Sequence, residues 1–315
     1  TQIPGVESIT TGVGIGKPVI RGLSSNRVLV YTQGVRLENQ QFGDEHGLGI
    51  NSMGIGSVEV IKGPASLLYG SDAIGGVLYL NPESYAAANS FQANFMSDYF
   101  SNTHGYQESA MVGSSGDQWK FMARGSLSAH SDVEGGDGLR VTNTRFKERD
   151  LKLGTGFQNS KYKADLRYNF NRSEIGIPEE MGVQSLSKEP MLPFQNIDNH
   201  VLSLDNRIFL KNSTIDAKLG YQFNNRKEFE DEHHHEEEGS EETEDHEEHE
   251  GEELHPALEM HLSTLSYNLK YNFPDFGNLQ LVAGSQGMHQ QNENFGKEML
   301  IPNAVPNDVG VFTTA

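Results

Sequence analysis

The sequence predicts a mainly β protein in which a small glycine-rich domain precedes a transmembrane antiparallel β-barrel. Two observations support this prediction. From about residue 91 onward, apolar and polar residues alternate in long segments, as the two-residue period of a strand requires. The connections between these segments are alternately short and long, which is typical of a barrel that spans an outer membrane. No run of about 18 apolar residues occurs, so a transmembrane helix is excluded.

The alternation is clearest in residues 161–171, where one face of the predicted strand is apolar and the other is charged or polar. A charged face repeated along many strands indicates a polar lumen inside the barrel. The apolar positions of this segment are Tyr162, Ala164, Leu166, Tyr168 and Phe170, and similar strands are predicted over residues 119–129, 150–158, 201–210, 215–224, 265–273 and 309–315.

The predicted connections fall into two classes. Tight turns rich in Gly, Asn, Asp, Ser and Pro cover residues 114–117, 159–160, 212–213 and 274–278. Long loops cover residues 131–145, 175–198, 230–258 and 293–308, and we expect them on the outer side of the membrane. The alternative is a soluble antiparallel sandwich, whose strands alternate as well.

The first 80 residues have a different character, with short apolar strands at residues 27–31 and 57–61 broken by glycine-rich turns. We predict a separate α+β domain over residues 1–84 and the barrel over residues 85–315, joined by a linker near residues 85–89. Arg21, Glu59 and Lys62 are candidates for ion pairs between the two domains, although solvated charges would have the same composition.

This first domain resembles the plug domain of TonB-dependent outer-membrane receptors. The resemblance rests on the order and spacing of four blocks, at residues 18–22, 27–30, 34–36 and above all 58–77 (VEVIKGPASLLYGSDAIGGV). It implies a monomeric barrel of about 22 strands with the plug in its lumen. It also implies location in the outer membrane of a Gram-negative bacterium, contact with outer-membrane lipid and energy coupling through the TonB complex.

The chain departs from the family pattern in two respects that bear on its architecture. It holds only about nine to ten strands, which could not enclose a plug of this size, so we expect the remaining strands to lie beyond Ala315. The opening of the plug, with its TonB box, is also not in this sequence. In addition, Gln33 stands where such plugs usually have aspartate before a glycine.

Charge is concentrated in residues 228–255, which contain 16 of the 44 acidic residues, six of the 12 histidines and no lysine or arginine. Without this run, the formal net charge changes from −20 to −20 + 16 = −4. Imidazole and carboxylate are ligands for zinc, copper(II) and nickel, and the absence of cysteine excludes thiolate sites. An acidic, solvated loop without ligand specificity is the alternative. The candidate ligands are His233, His234, His235, His246, His249 and His255.

A second candidate metal site lies in the predicted plug loop at residues 40–49, where Asp44, Glu45 and His46 follow one another. The zinc-uptake branch of the receptor family carries a similar acidic-His-Gly plug loop together with a His-rich outer loop. The resemblance therefore implies that Glu45 and His46 bind the metal, with Asp44 as the alternative to Glu45. A histidine in a glycine-rich loop without a ligand role is the other interpretation.

The predicted function is import of a metal ion, with Zn²⁺ as the transported ligand and no catalytic cofactor. The sequence shows no catalytic constellation and no nucleic-acid-binding pattern, so we expect neither an enzyme nor a nucleic acid partner. The alternatives are a receptor for haem, a siderophore or a copper complex, and a surface protein that binds metal without transporting it.

Overall fold

The computed structural model describes residues 3–10, 12–38, 46–70, 72–178, 181–230, 254–275, 277–299 and 301–315. Within these residues, the chain forms a compact N-terminal group of six strands followed by one continuous antiparallel sheet of ten strands. None of the helices in these residues is long and apolar enough to cross a membrane.

The N-terminal strands form two small sheets. The strands β1 and β2 pair as an antiparallel hairpin, whereas β4, β3, β6 and β5 form a mixed sheet in which β3 and β6 are parallel. The helical residues here are 3-10 turns, at Ser25–Arg27 and Gly63–Tyr69. The strands are β1 (Val6–Thr10), β2 (Gly16–Ile20), β3 (Val28–Thr32), β4 (Val35–Arg36), β5 (Ile55–Ile61) and β6 (Gly76–Pro82).

The tight turn between β3 and β4 consists of Gln33 and Gly34, with φ of 44° and 81°. Positive φ at both central positions is the geometry of a type I′ hairpin, which the second position fills with glycine at little cost. The buried Gln33 amide donates through Nε2 to the carbonyl oxygen of Val201 at 3.1 Å. This glutamine therefore holds the plug turn against the barrel wall.

The large sheet is an uninterrupted meander from β7 to β16, in which every strand pairs with its neighbour in sequence. Its strands are longer toward the loop end than the sequence predicted, because the ladders continue through polar residues that point into the lumen. The strands are β7 (Ser90–Phe100), β8 (Gly105–Ser115), β9 (Trp119–His130), β10 (Phe146–Gln158), β11 (Tyr162–Gly176), β12 (Phe194–Phe209), β13 (Thr214–Phe229), β14 (Leu258–Asn272), β15 (Val282–Asn294) and β16 (Asn307–Thr314).

The connections separate into two rims, which we call the turn rim and the loop rim. The turn rim carries the connections β8–β9, β10–β11, β12–β13 and β14–β15, and the loop rim carries the connections β7–β8, β9–β10, β11–β12, β13–β14 and β15–β16. The alternation of short and long connections is thus present, with one short connection at residues 101–104 on the loop rim. The β13–β14 ladder pairs Glu228 with Leu258, so these two residues lie in strands and not in the long loop.

The outer face of the sheet carries an apolar belt. Laterally paired residues form successive rows, such as Leu153, Tyr168, Leu202, Tyr221 and Leu265. Five such rows lie between the levels of Phe170 and Tyr162 on β11. At about 3.4 Å per residue this is about 27 Å along a strand, or about 20 Å of height at a tilt of about 40°. That height is most of the apolar band of an outer-membrane barrel, which is about 25 Å tall.

The inner face is polar and holds the N-terminal sheets. Buried side chains there include Arg124, Arg167, Asn199 and Arg226. Two apolar contacts join wall and plug: Val201 packs with the plug core of Val30, Val35, Leu37 and Leu80, and Ile15 packs with Phe146, Ile175 and Ile197.

Candidate functional site

The candidate site lies where the plug meets the loop end of β13. Alternate residues of this strand point into the lumen, and the last four of them, Gln222, Asn224, Arg226 and Glu228, are all buried. Beyond Phe229 the strand leads directly into the acidic, His-rich run. The lumen face of β13 therefore connects the plug to the base of that run.

His46 is the plug residue at this position. Its side chain is 1% exposed, and its Nε2 atom lies 2.7 Å from Oε1 of Glu228. Arg226 lies beneath this pair, with Nη1 at 3.6 Å from the same carboxylate oxygen and donating to Gln195 Oε1 at 2.5 Å. The pair thus combines an imidazole nitrogen and a carboxylate oxygen in a buried, polar position at the interface between plug and wall.

The plug segment before His46 is fixed to the same strand. The Glu38 backbone N–H donates to Gln222 Oε1 at 2.8 Å, and Gln222 Nε2 donates to the Arg36 carbonyl oxygen at 2.5 Å. Arg36 also forms an ion pair with the Glu38 carboxylate. Burial raises the pKa of Glu38 above its ordinary value, even though the charge of Arg36 acts in the opposite direction.

A second anchor lies at the end of the plug, below the site. Arg124 of the wall donates through Nε and Nη2 to the two carboxylate oxygens of Glu83, both at 2.6 Å. Next to it, Tyr85 donates to Asp165 Oδ1 at 2.7 Å and stacks under the Arg167 guanidinium. By contrast, Lys62 donates to the Pro4 carbonyl and Glu59 accepts from Asn81. Both partners belong to the plug, and within the described residues neither Lys62 nor Glu59 forms an ion pair with the wall, which fits the alternative of solvated charges.

Two of the predicted ligand residues, His46 and His255, lie in the described part of the chain. His255 is exposed in the connection before β14. Among the described residues, no three His, Asp or Glu side chains come together as a metal-binding group. Asp44, Glu45, His233, His234, His235, His246 and His249 lie outside the described residues, and their ligand roles stay predictions.

The sequence prediction missed Glu228 as a partner of His46. The residue was recognised only as the first member of an acidic run, because the predicted strand ended at residue 224. Extending the alternation of β13 by two further periods places Glu228 on the lumen face, and that extension is the signal that could have identified it.

Comparison with known proteins agrees with this architecture. Residues 1–77 match the TonB-dependent Receptor Plug Domain family. A curated relative, the vitamin B12 transporter BtuB of Photobacterium profundum, is 33% identical over 171 residues, which are 52% of this chain and 25% of the relative. The chain therefore spans about a quarter of that relative's length.

Solved structures show the same fold. The copper transporter OprC superposes with a TM-score of 0.76 at 17% identity, covering 99% of this chain and 48% of OprC. The FrpB iron transporter of Neisseria meningitidis superposes with a TM-score of 0.71 at 15% identity, covering 92% of this chain and 44% of the FrpB chain. The fold is thus mostly β, a partial receptor barrel with a plug domain. The homologues are transporters of the Gram-negative outer membrane, and this chain has the same location.

Proposed function

We propose that this chain contributes the plug and ten barrel strands of a TonB-dependent outer-membrane receptor that imports a metal ion, with zinc as the substrate. The observation that carries the proposal is the buried contact between His46 and Glu228, the first residue of the acidic, His-rich run. Zn²⁺ takes imidazole nitrogen and carboxylate oxygen as ligands, and this contact supplies one of each.

The position of the contact supports a division of roles. The run of residues 228–255 starts on the strand that holds the plug, and its first residue, Glu228, is the partner of His46. In the proposal the loop histidines collect Zn²⁺, and His46 with Asp44 or Glu45 holds it at the plug. Energy from TonB then rearranges the plug and releases the ion inward. Metal arriving at His46 must compete with Glu228 for the imidazole nitrogen or recruit Glu228 as a further ligand.

Uptake of radioactive zinc by cells that express the complete receptor tests transport. We expect uptake to require TonB and to fall strongly in His46→Ala and Glu228→Ala variants. The matched control is His200→Ala, since His200 lies on the outer face of β12 and bonds to the Tyr168 hydroxyl. Equal uptake with and without TonB would favour a surface protein that binds metal without transporting it.

Calorimetry of the purified receptor with Zn²⁺, Cu²⁺, haem and vitamin B12 tests the substrate. The relatives are named for vitamin B12, iron and copper, so these ligands are the rivals. Haem would call for an aromatic or apolar pocket, whereas residues 228–255 contain only Phe229 and Leu254 as large apolar side chains. Tight binding of a rival ligand together with no Zn²⁺ binding would refute the zinc assignment.

Replacement of residues 231–253 by a Gly-Ser linker separates collection from transport. We expect uptake to weaken at low zinc and to approach the wild-type level at high zinc. Equal loss at all zinc concentrations would show that the run takes part in the transport step itself.

A further inference from the structure

A group of oxygen atoms on the lumen face of β9 and β10 lies apart from the His46 site. Ser126 and Ser128 of β9 stand directly opposite Asp150 and Glu148 of β10 in the ladder. Ser126, Ser128 and Asp150 are each less than one-tenth exposed. Same-face neighbours on a strand are about 7 Å apart, so the four side chains form one patch of hydroxyl and carboxylate oxygens.

Some of these oxygens already have partners. Asp150 Oδ1 accepts from Asn171 Nδ2 at 2.9 Å. Glu148 accepts from Ser173 Oγ at 3.3 Å and from the plug residue Asn51, through Nδ2, at 3.0 Å. The Asn51 contact makes the patch part of the interface between plug and wall.

Three buried oxygens of the patch lack a hydrogen bond of proper geometry with the described residues: Ser126 Oγ, Ser128 Oγ and Asp150 Oδ2. The Ser126 hydroxyl lies against the Asp150 carboxylate and interacts with it, so Ser128 Oγ is the oxygen of the patch that has no partner among the described residues. A buried polar atom without a partner is costly. A buried, unpartnered hydroxyl beside two carboxylates indicates that a further species binds there.

Charge indicates the sign of that species. Neither Glu148 nor Asp150 forms an ion pair with any residue in the described part of the chain. The nearest basic group is Lys152, whose charge acts on both carboxylates while its Nζ donates to the carbonyl oxygens of Asn51 and Met53; Arg124 binds Glu83 and Ser109. One lysine beside two carboxylates leaves a net negative charge at a buried interface, which is costly unless a further cation joins them.

We propose that this patch binds a hard divalent cation of the Ca²⁺ class, held by Asp150 and Glu148 with the hydroxyls of Ser126 and Ser128. A donor set made only of oxygens suits Ca²⁺, which accepts six to eight oxygen ligands in flexible geometry and keeps water in the remaining positions. The ion neutralises the two carboxylates and thereby secures the Asn51 segment of the plug against β10. This site is separate from the His46 site and does not depend on zinc being the transported substrate.

The test uses the complete receptor in detergent, treated with chelator and then titrated with CaCl₂, with calorimetry and hydrogen exchange as readouts. We expect Ca²⁺ to slow amide exchange in residues 46–53 and 126–128 of the wild type. Asp150→Asn should weaken the binding step roughly tenfold or more and abolish the local protection. Exchange at these residues distinguishes the patch from weak Ca²⁺ binding by the acidic run.

Two further variants guard against misfolding and general charge effects. The double variant Ser126→Ala/Ser128→Ala keeps both carboxylates and should reduce Ca²⁺ affinity several-fold. Asp205→Asn removes a carboxylate that pairs with Lys218 elsewhere in the barrel and should leave Ca²⁺ protection unchanged. The proposal is overturned if Ca²⁺ leaves the exchange of wild-type residues 46–53 and 126–128 unchanged, which would mean that water alone occupies the patch. Equal protection in wild type and Asp150→Asn, or protection by Zn²⁺ at lower concentration than by Ca²⁺, would overturn it as well.

Discussion

The ion pair between Glu83 and Arg124 should control how readily the plug separates from the wall. Arg124 makes two bonds of 2.6 Å to the Glu83 carboxylate and a third, of 2.7 Å, to Ser109 Oγ. The two side chains are only 15% and 8% exposed. Glu83→Leu leaves the Arg124 guanidinium buried without its counter-ion. Removing one partner of a buried pair costs about 3–5 kcal/mol.

Hydrogen exchange of β6 in the complete receptor measures this cost, because β6 ends next to Glu83. If β6 exchanges through local opening, a loss of about 3–5 kcal/mol raises its exchange rate about 100-fold to 1,000-fold or more. The double variant Glu83→Leu/Arg124→Met removes both charges and should recover most of the protection, since an apolar pair of similar volume is often neutral.

The matched control is Glu134→Gln, which breaks the Arg140–Glu134 pair at the loop rim. The Glu134 side chain is 45% exposed, so this change should cost less than about 1 kcal/mol. Two results would refute the reasoning that this pair fastens the plug. One is an exchange rate of β6 in Glu83→Leu within about twofold of the wild-type rate, and the other is no recovery of protection in the double variant.

Three further predictions follow from the same structure. In a denaturation assay, Gly220→Ala should destabilise the contact of plug and wall by about 1–3 kcal/mol, because the added Cβ would lie 2.6 Å from Val35 Cγ1. Gly125→Ala should be neutral in this assay, because no atom lies within 4 Å of the added Cβ. Leu219→Arg in the apolar belt should reduce the free energy of folding into lipid vesicles by about 2–4 kcal/mol. Asn225→Arg lies on the same face of β13 but nearer the loop rim, and it should reduce that free energy by about 0–1 kcal/mol. Equal losses in the two variants would show that the belt does not lie at the level of Leu219. Burial raises the folded-state pKa of Glu38. The stability that Glu38 contributes is therefore fully present below its unfolded-state pKa and is lost as pH rises through its folded-state pKa. Melting temperatures measured against pH should show this loss in the wild type but not in Glu38→Gln.

Much of the fold could be predicted from the sequence because the barrel strands obey a simple rule. The alternation in residues 161–171 located β11, and the turn-forming residues located the turn rim. The loop ends of the strands were predicted too short. Toward the loop rim, the outward-facing positions become polar as well, as at Arg172 and Asp198, so the contrast between the two faces disappears while the ladder continues.

The candidate site was only partly predictable. The family resemblance predicted His46 as a metal ligand and composition predicted the histidines of the acidic run, but the contact of His46 with Glu228 depends on which wall strand the plug loop meets. That relation is a contact over 182 residues of separation, and no local pattern encodes it. Gln33 is a similar case, because its hydrogen bond to Val201 depends on the depth of the plug in the lumen.

The arrangement of contacts along the plug indicates how the site could be opened without unfolding the barrel. Around the candidate site, the contacts between wall and plug in the described residues include the His46–Glu228 pair, the bonds of Gln222 to the Arg36–Glu38 backbone and the packing of Val35 and Leu37 against Val201. Below it, the Glu83–Arg124 pair and Tyr85 fasten the end of the plug to strands that are paired on both sides. A pull on the plug would therefore meet a buried, bidentate ion pair at residues 83–85. In the proposed transport cycle, release of an ion from His46 requires at least that the contact of His46 with Glu228 changes, and that contact can change while the β12–β13 and β13–β14 ladders of the wall stay paired.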